Sequence, residues 1–312
     1  MNDMHRPRID PDLPQPTPVA WRMATGSPTI AATPSRARPT GLRPASPPVS
    51  LMLRPAVRFC LAPALLAVAV LPALAADLLP HEGNYVVRLG SSLSAPQVGT
   101  ARQLLGLDCH VWHLERDVIT DIPLGAGLRL TSTSELRGAE PRDGTVFNYQ
   151  LKREQNGREF AISGRVTVGK NGARADLVLP SRPVTYDLPG GVVLPVAAFA
   201  QAIDALKGGA DSFSFAMFDA ELTSDALQVD GKIVPADALR PPRPEGSKLP
   251  GGTAWPVEIT FNRAGGRQLF TVLLLLHEGG ALDRLTISTG LLTASADLVA
   301  FKPLPRPNCP VS

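Results

Sequence analysis

The sequence holds little of the chemistry on which most enzymes are built. Its 312 residues include five histidines, three cysteines and three tyrosines. No Gly-x-x-x-x-Gly-Lys-Ser/Thr phosphate loop and no Gly-x-Gly-x-x-Gly turn after a strand occurs, and no Gly-x-Ser-x-Gly elbow sets a serine on a strained turn. Charge of one sign is not in excess either, with 31 basic residues against 28 acidic ones. The apolar run Leu61–Leu71 is 11 residues long, short of the roughly 20 that a membrane-spanning helix needs.

That short run belongs to an export signal placed away from the start of the chain. Arg54 and Arg58 supply a charged n-region, Leu61–Leu71 the apolar region, and Ala73-Leu74-Ala75 a small-residue cleavage site. Cys60 precedes the apolar run instead of ending it, which argues against a lipoprotein. Residues 1–51 are rich in Pro, Arg, Ser and Thr with no apolar period, so they cannot bury enough surface to offset their ordering entropy. Because signal peptides begin at an initiator, Met52 is the expected start. The sequence thus divides into a disordered extension over 1–51, a signal peptide over 52–75 and one folded domain over 76–312.

Removing the leader changes what the composition says. Residues 1–76 hold eight Arg and three Asp, a contribution of +5 to the chain's +3, so the remainder carries −2. The basic character of the whole chain therefore offers no argument for nucleic acid. Three cysteines become two, Cys109 and Cys309, and in an oxidising envelope compartment a matched pair reads as one disulfide.

Short segments of alternating polarity, broken by Gly, Asn, Asp and Pro, predict strands over 83–89, 109–119, 127–136, 145–153, 159–168, 173–180 and 183–188. After a helix the pattern resumes over 212–219, 227–234, 255–263, 268–277, 281–288 and 291–301. Gln155-Asn156-Gly157 and Lys170-Asn171-Gly172 read as hairpin turns of type I′. Val196–Lys207 predicts the helix, apolar except for a stripe of Gln201, Asp204 and Lys207, with Pro195 at its start and Gly208-Gly209 at its end. Thr271–Leu276 is apolar on both faces and belongs mid-sheet. Arg240–Gly252 is a Pro- and Gly-rich loop between strands. About a dozen strands and one helix imply an all-β domain, a meander or curled, barrel-like sheet whose lumen is a core or a ligand cavity.

Candidate chemistry is sparse. His110 and His113 flank the Cys109 region, but residues three apart on a strand point to opposite faces, so the two imidazoles diverge and make a poor metal site. His81 and His277 could serve a Ser-His-Asp arrangement, and many Asp and Glu residues could pair as acid and base, yet nothing singles out a set. Tyr85, Trp112, Tyr149 and Trp255 read as core, with a stacking groove as the alternative. No catalytic, cofactor-binding or metal residue is assigned.

The order of features resembles the cell envelope integrity EipB family of bacterial periplasmic proteins. Leu79-Pro80-His81-Glu82-Gly83-Asn84-Tyr85 is similar to the family's opening, and Gly106-Leu107-Asp108-Cys109-His110-Val111-Trp112 to the segment of its first cysteine. Pro189–Leu206 resembles its turn into a helix, Phe213–Asp219 its acidic Phe-rich strand, and Leu304–Cys309 its closing cysteine. His110-Val111-Trp112-His113-Leu114-Glu115-Arg116 departs from the aromatic pattern expected after the first cysteine. The resemblance implies a single antiparallel sheet coiled as a β-spiral or open barrel, a Cys109–Cys309 disulfide, and a non-enzymatic role in envelope integrity. It also implies association with other periplasmic proteins, including ones with tetratricopeptide repeats, and supplies no catalytic residue. The alternative is a periplasmic carrier of lipid or another hydrophobic ligand inside the curled sheet. N-terminal sequencing of the exported protein should begin at Ala76, within one residue; a start in residues 1–51 would contradict the internal signal.

Overall fold

The structure is a computed structural model and describes residues 78–222, 225–242, 250–263 and 266–309. The readings of the extension, the signal peptide, its cleavage site and the middle of the Arg240–Gly252 loop lie outside these residues. The first half of the described chain forms β1 (His81–Leu89), β2 (Gln97–Leu107), β3 (Val111–Gly125), β4 (Leu128–Pro141), β5 (Val146–Gln155), β6 (Arg158–Gly169), β7 (Gly172–Val178) and β8 (Pro183–Leu188). Then come β9 (Val192–Val193), α1 (Pro195–Lys207), β10 (Ser212–Phe218), β11 (Ala226–Ile233), β12 (Ala254–Arg263), β13 (Gln268–His277), β14 (Leu282–Ser288) and β15 (Thr293–Pro303).

All fifteen strands join one sheet in the order β8 through β1, then β15 down to β9. Each pair is antiparallel except β9 with β10. The chain therefore starts mid-sheet, winds outward to β8, crosses to β9, and winds back until β15 pairs with β1 from His81↔Pro303 to Leu89↔Ala294. That ladder joins the two halves mid-sheet, and the sheet curls into a nearly closed barrel with its seam between β8 and the β9–β10 edge.

The inward face follows from alternation carried in register from strand to strand. Trp112 and Leu114 point inward and are buried, while Val111, His113 and Glu115 face out, which settles the face of β3. One row runs Leu114, Gly138, Tyr149, Gly164, Leu177 across β3–β7. Gly138 and Gly164 are required there, because a Cβ would strike the rings of Phe147 and Tyr149 that lie flat over them. The aromatic residues Tyr85, Trp112 and Tyr149 are core, and Trp255 packs half-buried against it. On β13, Val272, Leu274 and Leu276 point into the core while Leu273 and Leu275 stay half-exposed on the other side.

Three local readings change. β2 lacks clear alternation, since Gly99, Arg102, Gln103 and Gly106 interrupt it, and its ladders to β1 and β3 hold it instead. Asn156 and Gly157 adopt φ of 49° and 76°, as a type I′ turn requires, but Lys170 and Asn171 keep negative φ and only Gly172, at 148°, is positive. Arg240 is buried: its guanidinium pairs with Asp297, and its carbonyl accepts from Arg284 Nη1 at 3.4 Å, strapping the segment after β11 across β14 and β15.

α1 matches the expected stripe, with Gln201 and Lys207 exposed and Val196, Ala200, Ile203 and Leu206 buried. Leu194, at its N-cap, offers no side-chain acceptor. Glu140, at the end of β4, takes that role: Val196 N–H donates to Oε2 and Ala197 N–H to Oε1, each at 2.8 Å. Because α1 packs on β10, this contact links the two halves of the sheet across the seam. Burial pushes the Glu140 carboxyl up to about 7, while its two backbone donors pull the other way.

The folded carboxyl thus keeps its proton up to about pH 7, whereas its ordinary value is 4.5. Between those values the folded state binds more protons than the unfolded one, so this group lowers stability as pH rises through that window. Glu140→Gln should remove that slope from urea midpoints measured between pH 4.5 and 7.5, at a cost of about 1–3 kcal/mol from the mismatched N–H. An identical slope in both proteins would contradict the assignment.

Candidate functional site

The chain's covalent tie sits at the end of the barrel where β1 begins. Cys109, in the turn from β2 to β3, is bonded to Cys309 across 200 residues, with Cα atoms 5.4 Å apart. The tail it anchors runs back along the start of β1, where Leu304 N–H donates to Pro80 O at 2.8 Å. The disulfide therefore fastens the same junction of the two halves that the β1–β15 ladder makes. Replacing both cysteines with serine should lower stability by about 2–5 kcal/mol, read as a lower urea midpoint. An unchanged midpoint, or two titratable thiols in the exported protein, would contradict a structural bridge.

His81 and His277 lie near enough to act on each other electrostatically, whereas His110 and His113 stand apart at the surface. His113 Nε2 lies 2.7 Å from Asp108 Oδ2 on the surface, and His110 is exposed. His81 is buried beside the Phe301 ring with Nδ1 2.7 Å from Leu79 O, and burial holds its pKa below the usual value. His277 is buried as well, and burial lowers its pKa against the pull of Asp283. That aspartate is committed to the backbone: its Oδ1 accepts from Arg284 N–H at 2.7 Å and from Leu298 N–H at 3.3 Å. Neither histidine is hydrogen-bonded to a serine or a carboxylate among the described residues.

The interior is packed with side chains. Phe147 and Phe218 are fully buried and meet with ring centroids 6.4 Å apart, and Tyr149 lies 5.7 Å from Phe218. These contacts join the two halves of the sheet across its interior, since Phe218 ends β10 and its partners lie on β5. Just beyond, Asp219 Oδ1 accepts from the amides of Glu221 and Leu222 and turns the chain inward. Glu221 then meets three residues of the opposite half: Arg116 Nη2 at 2.9 Å, Ser134 Oγ at 3.2 Å and Arg153 Nη2 at 3.3 Å. Burial alone would raise the Glu221 pKa, but the two guanidinium groups outweigh it and hold the carboxyl below its usual range.

Two open concavities lie elsewhere among the described residues. One, of about 460 Å³, faces outward over β10–β12 and is lined by Ser212, Ser214, Asp230, Lys232, Glu258 and Thr260. Its polar groups are already mutually engaged, with Asp230 accepting from Ser214, Gln228 and Asn262. The other, of about 190 Å³, is an apolar notch between Leu79, Pro250, Phe301 and Leu304. On the outer side of β1–β4, Arg102 meets Glu82, Glu115 and Asp117, a half-exposed network that the sequence did not single out. Glu140 and Glu221 were missed as well; a lone acid next to Pro141 at a strand end was the one available hint for Glu140.

A profile of the EipB-like family matches residues 72–305. No curated protein matches the chain. Among solved structures, a beta-barrel-like protein of a domain of unknown function from Brucella abortus superposes with a TM-score of 0.64 at 17% identity. The match covers 74% of this chain and all of that one, and at such identity it speaks for the fold alone. With the packed barrel, the seam and the cysteine tie in place, the family match over most of the described chain is decisive: the chain belongs to the EipB-like family.

Proposed function

We propose that this is a periplasmic, non-enzymatic interaction protein that maintains the integrity of the cell envelope by holding other envelope proteins. The observation that carries the reading is the filled interior. Core side chains from both halves meet across the seam, and the two concavities described lie on the outside. What remains for recognition is the outer surface and the edge of the sheet. The disulfide and the internal export signal favour an oxidising envelope compartment. Among the described residues no helix is long and apolar enough to cross a membrane.

Partners bearing tetratricopeptide repeats are part of this reading. The same filled interior counts against a lipid carrier, which needs room for an acyl chain. Cross-linking in intact cells, followed by identification of the linked proteins, should recover specific envelope partners, and loss of the protein should raise sensitivity to detergents. Native mass spectrometry that instead finds stoichiometric lipid, with no specific cross-link, would replace this reading with the carrier.

A further inference from the structure

The two ends of the sheet are unequal. β9 is two residues long and is followed at once by α1, whereas β8 presents six residues with no hydrogen-bonded strand on one side. An unpaired strand edge is a template for another chain, and natural proteins usually blunt it with lysine, inward-pointing charge or proline. β8 has only Pro183, at its first position, and no lysine or arginine.

The direction of its backbone groups follows from the turn before it. Leu179 N–H donates to Arg182 O at 3.1 Å, which closes the β7–β8 connection. Antiparallel pairs alternate between bonded and non-bonded, so Val178↔Pro183, Asp176↔Thr185 and Arg174↔Asp187 are the non-bonded pairs. Thr185 and Asp187 therefore turn both N–H and C=O toward the free edge, and Pro183 turns its carbonyl there. Among the described residues no backbone hydrogen bond reaches these groups. Side chains at the edge are sorted by face: Val184 and Tyr186 are half-buried on the inward side, while Thr185 and Asp187 are exposed outside. The side chain of Thr185 is pinned in place by Asp176 at 2.7 Å.

From this edge we infer a docking site for an extended segment of a partner protein, added to the sheet as a strand beside β8. The ligand class follows from the two faces. Alternate residues of the segment are apolar, to lie beside Val184 and Tyr186, and a lysine or arginine among the others sits by Asp187. This inference rests on the interaction reading above and gives it an address.

The test uses the disulfide-intact protein purified from cells expressing the full chain, panned against a phage-displayed library of random peptides. Enriched peptides should alternate apolar and polar residues, and on binding they should slow hydrogen exchange at the amides of Thr185 and Asp187. Thr185→Pro/Asp187→Pro removes the outward donors and the Thr185 hydroxyl bond to Asp176 while leaving the backbone bonds to β7, and should weaken the selected peptides at least about tenfold. Val184→Lys, which places a charge on the inward side of the edge, provides a second variant and should give a similar loss with the fold intact. No enriched peptide, or equal binding by wild type and both variants, would overturn the edge. A wild-type dimer that these variants split would also overturn it, by making a second copy the occupant. Cellular cross-links that persist in the proline variant would leave the interaction reading standing and the edge refuted.

Discussion

Two carboxylates tie together the two halves of this sheet, whose outer ends share no backbone ladder, and with the common core they hold the closed form. Glu140 projects from β4 to cap α1, and Glu221 projects from the turn after β10 to Arg116 and Arg153 on β3 and β5. Everywhere else, neighbouring strands are joined by ladders. At the seam no ladder joins the strands, so the halves are held by their shared core, the crossing helix and these side-chain ties. The two ties differ in kind. Glu140 is nearly inaccessible and opposed only by peptide dipoles, so burial raises its pKa, while Glu221 is half-exposed and faces two full charges that lower it.

Closure of this kind accounts for several local irregularities. Where β1 pairs β15 the register shifts at Asn84 and Tyr85, and on the other side the β14–β15 ladder ends at Ala296, short of the Leu298 amide. Asp283 accepts it instead, from a second bulge at which Arg284 takes a positive φ of 51°. That bulge also turns Arg284 toward the Arg240 carbonyl, holding the strap whose guanidinium pairs with the buried Asp297. A buried ion pair of this sort is better evidence for a fixed position than for added stability. Side chains fill the inside, the polar groups around Asp230 on the outside are engaged with one another, and β8 keeps an edge with no hydrogen-bonded strand.

Much of this was legible in the sequence. The strands over 183–188 and 268–277 were read at their observed limits, and α1 differs by one residue, because alternation and the 3.6-residue stripe are local properties. The pairing of Cys109 with Cys309 followed from their number and from the family resemblance. β2 was illegible because its glycines and polar residues follow neighbours rather than a period. The turn at Lys170-Asn171 defeated a dipeptide rule that held at Asn156-Gly157, since the strand register placed Gly172 after the turn instead of within it. Glu140 had only the adjacent Pro141 as a hint and Glu221 had none, because each gains its role from a partner at least 56 residues distant.

The central claim is that these side-chain ties hold the seam shut. Paired spin labels at Asp187→Cys on β8 and Ser212→Cys on β10 measure the separation across it. With Glu140 and Glu221 intact, the account predicts one narrow distance distribution. Combining Glu140→Ala with Glu221→Gln should broaden and lengthen it while the ladders from β1 to β8 persist. An equally narrow distribution in that double variant would contradict the claim.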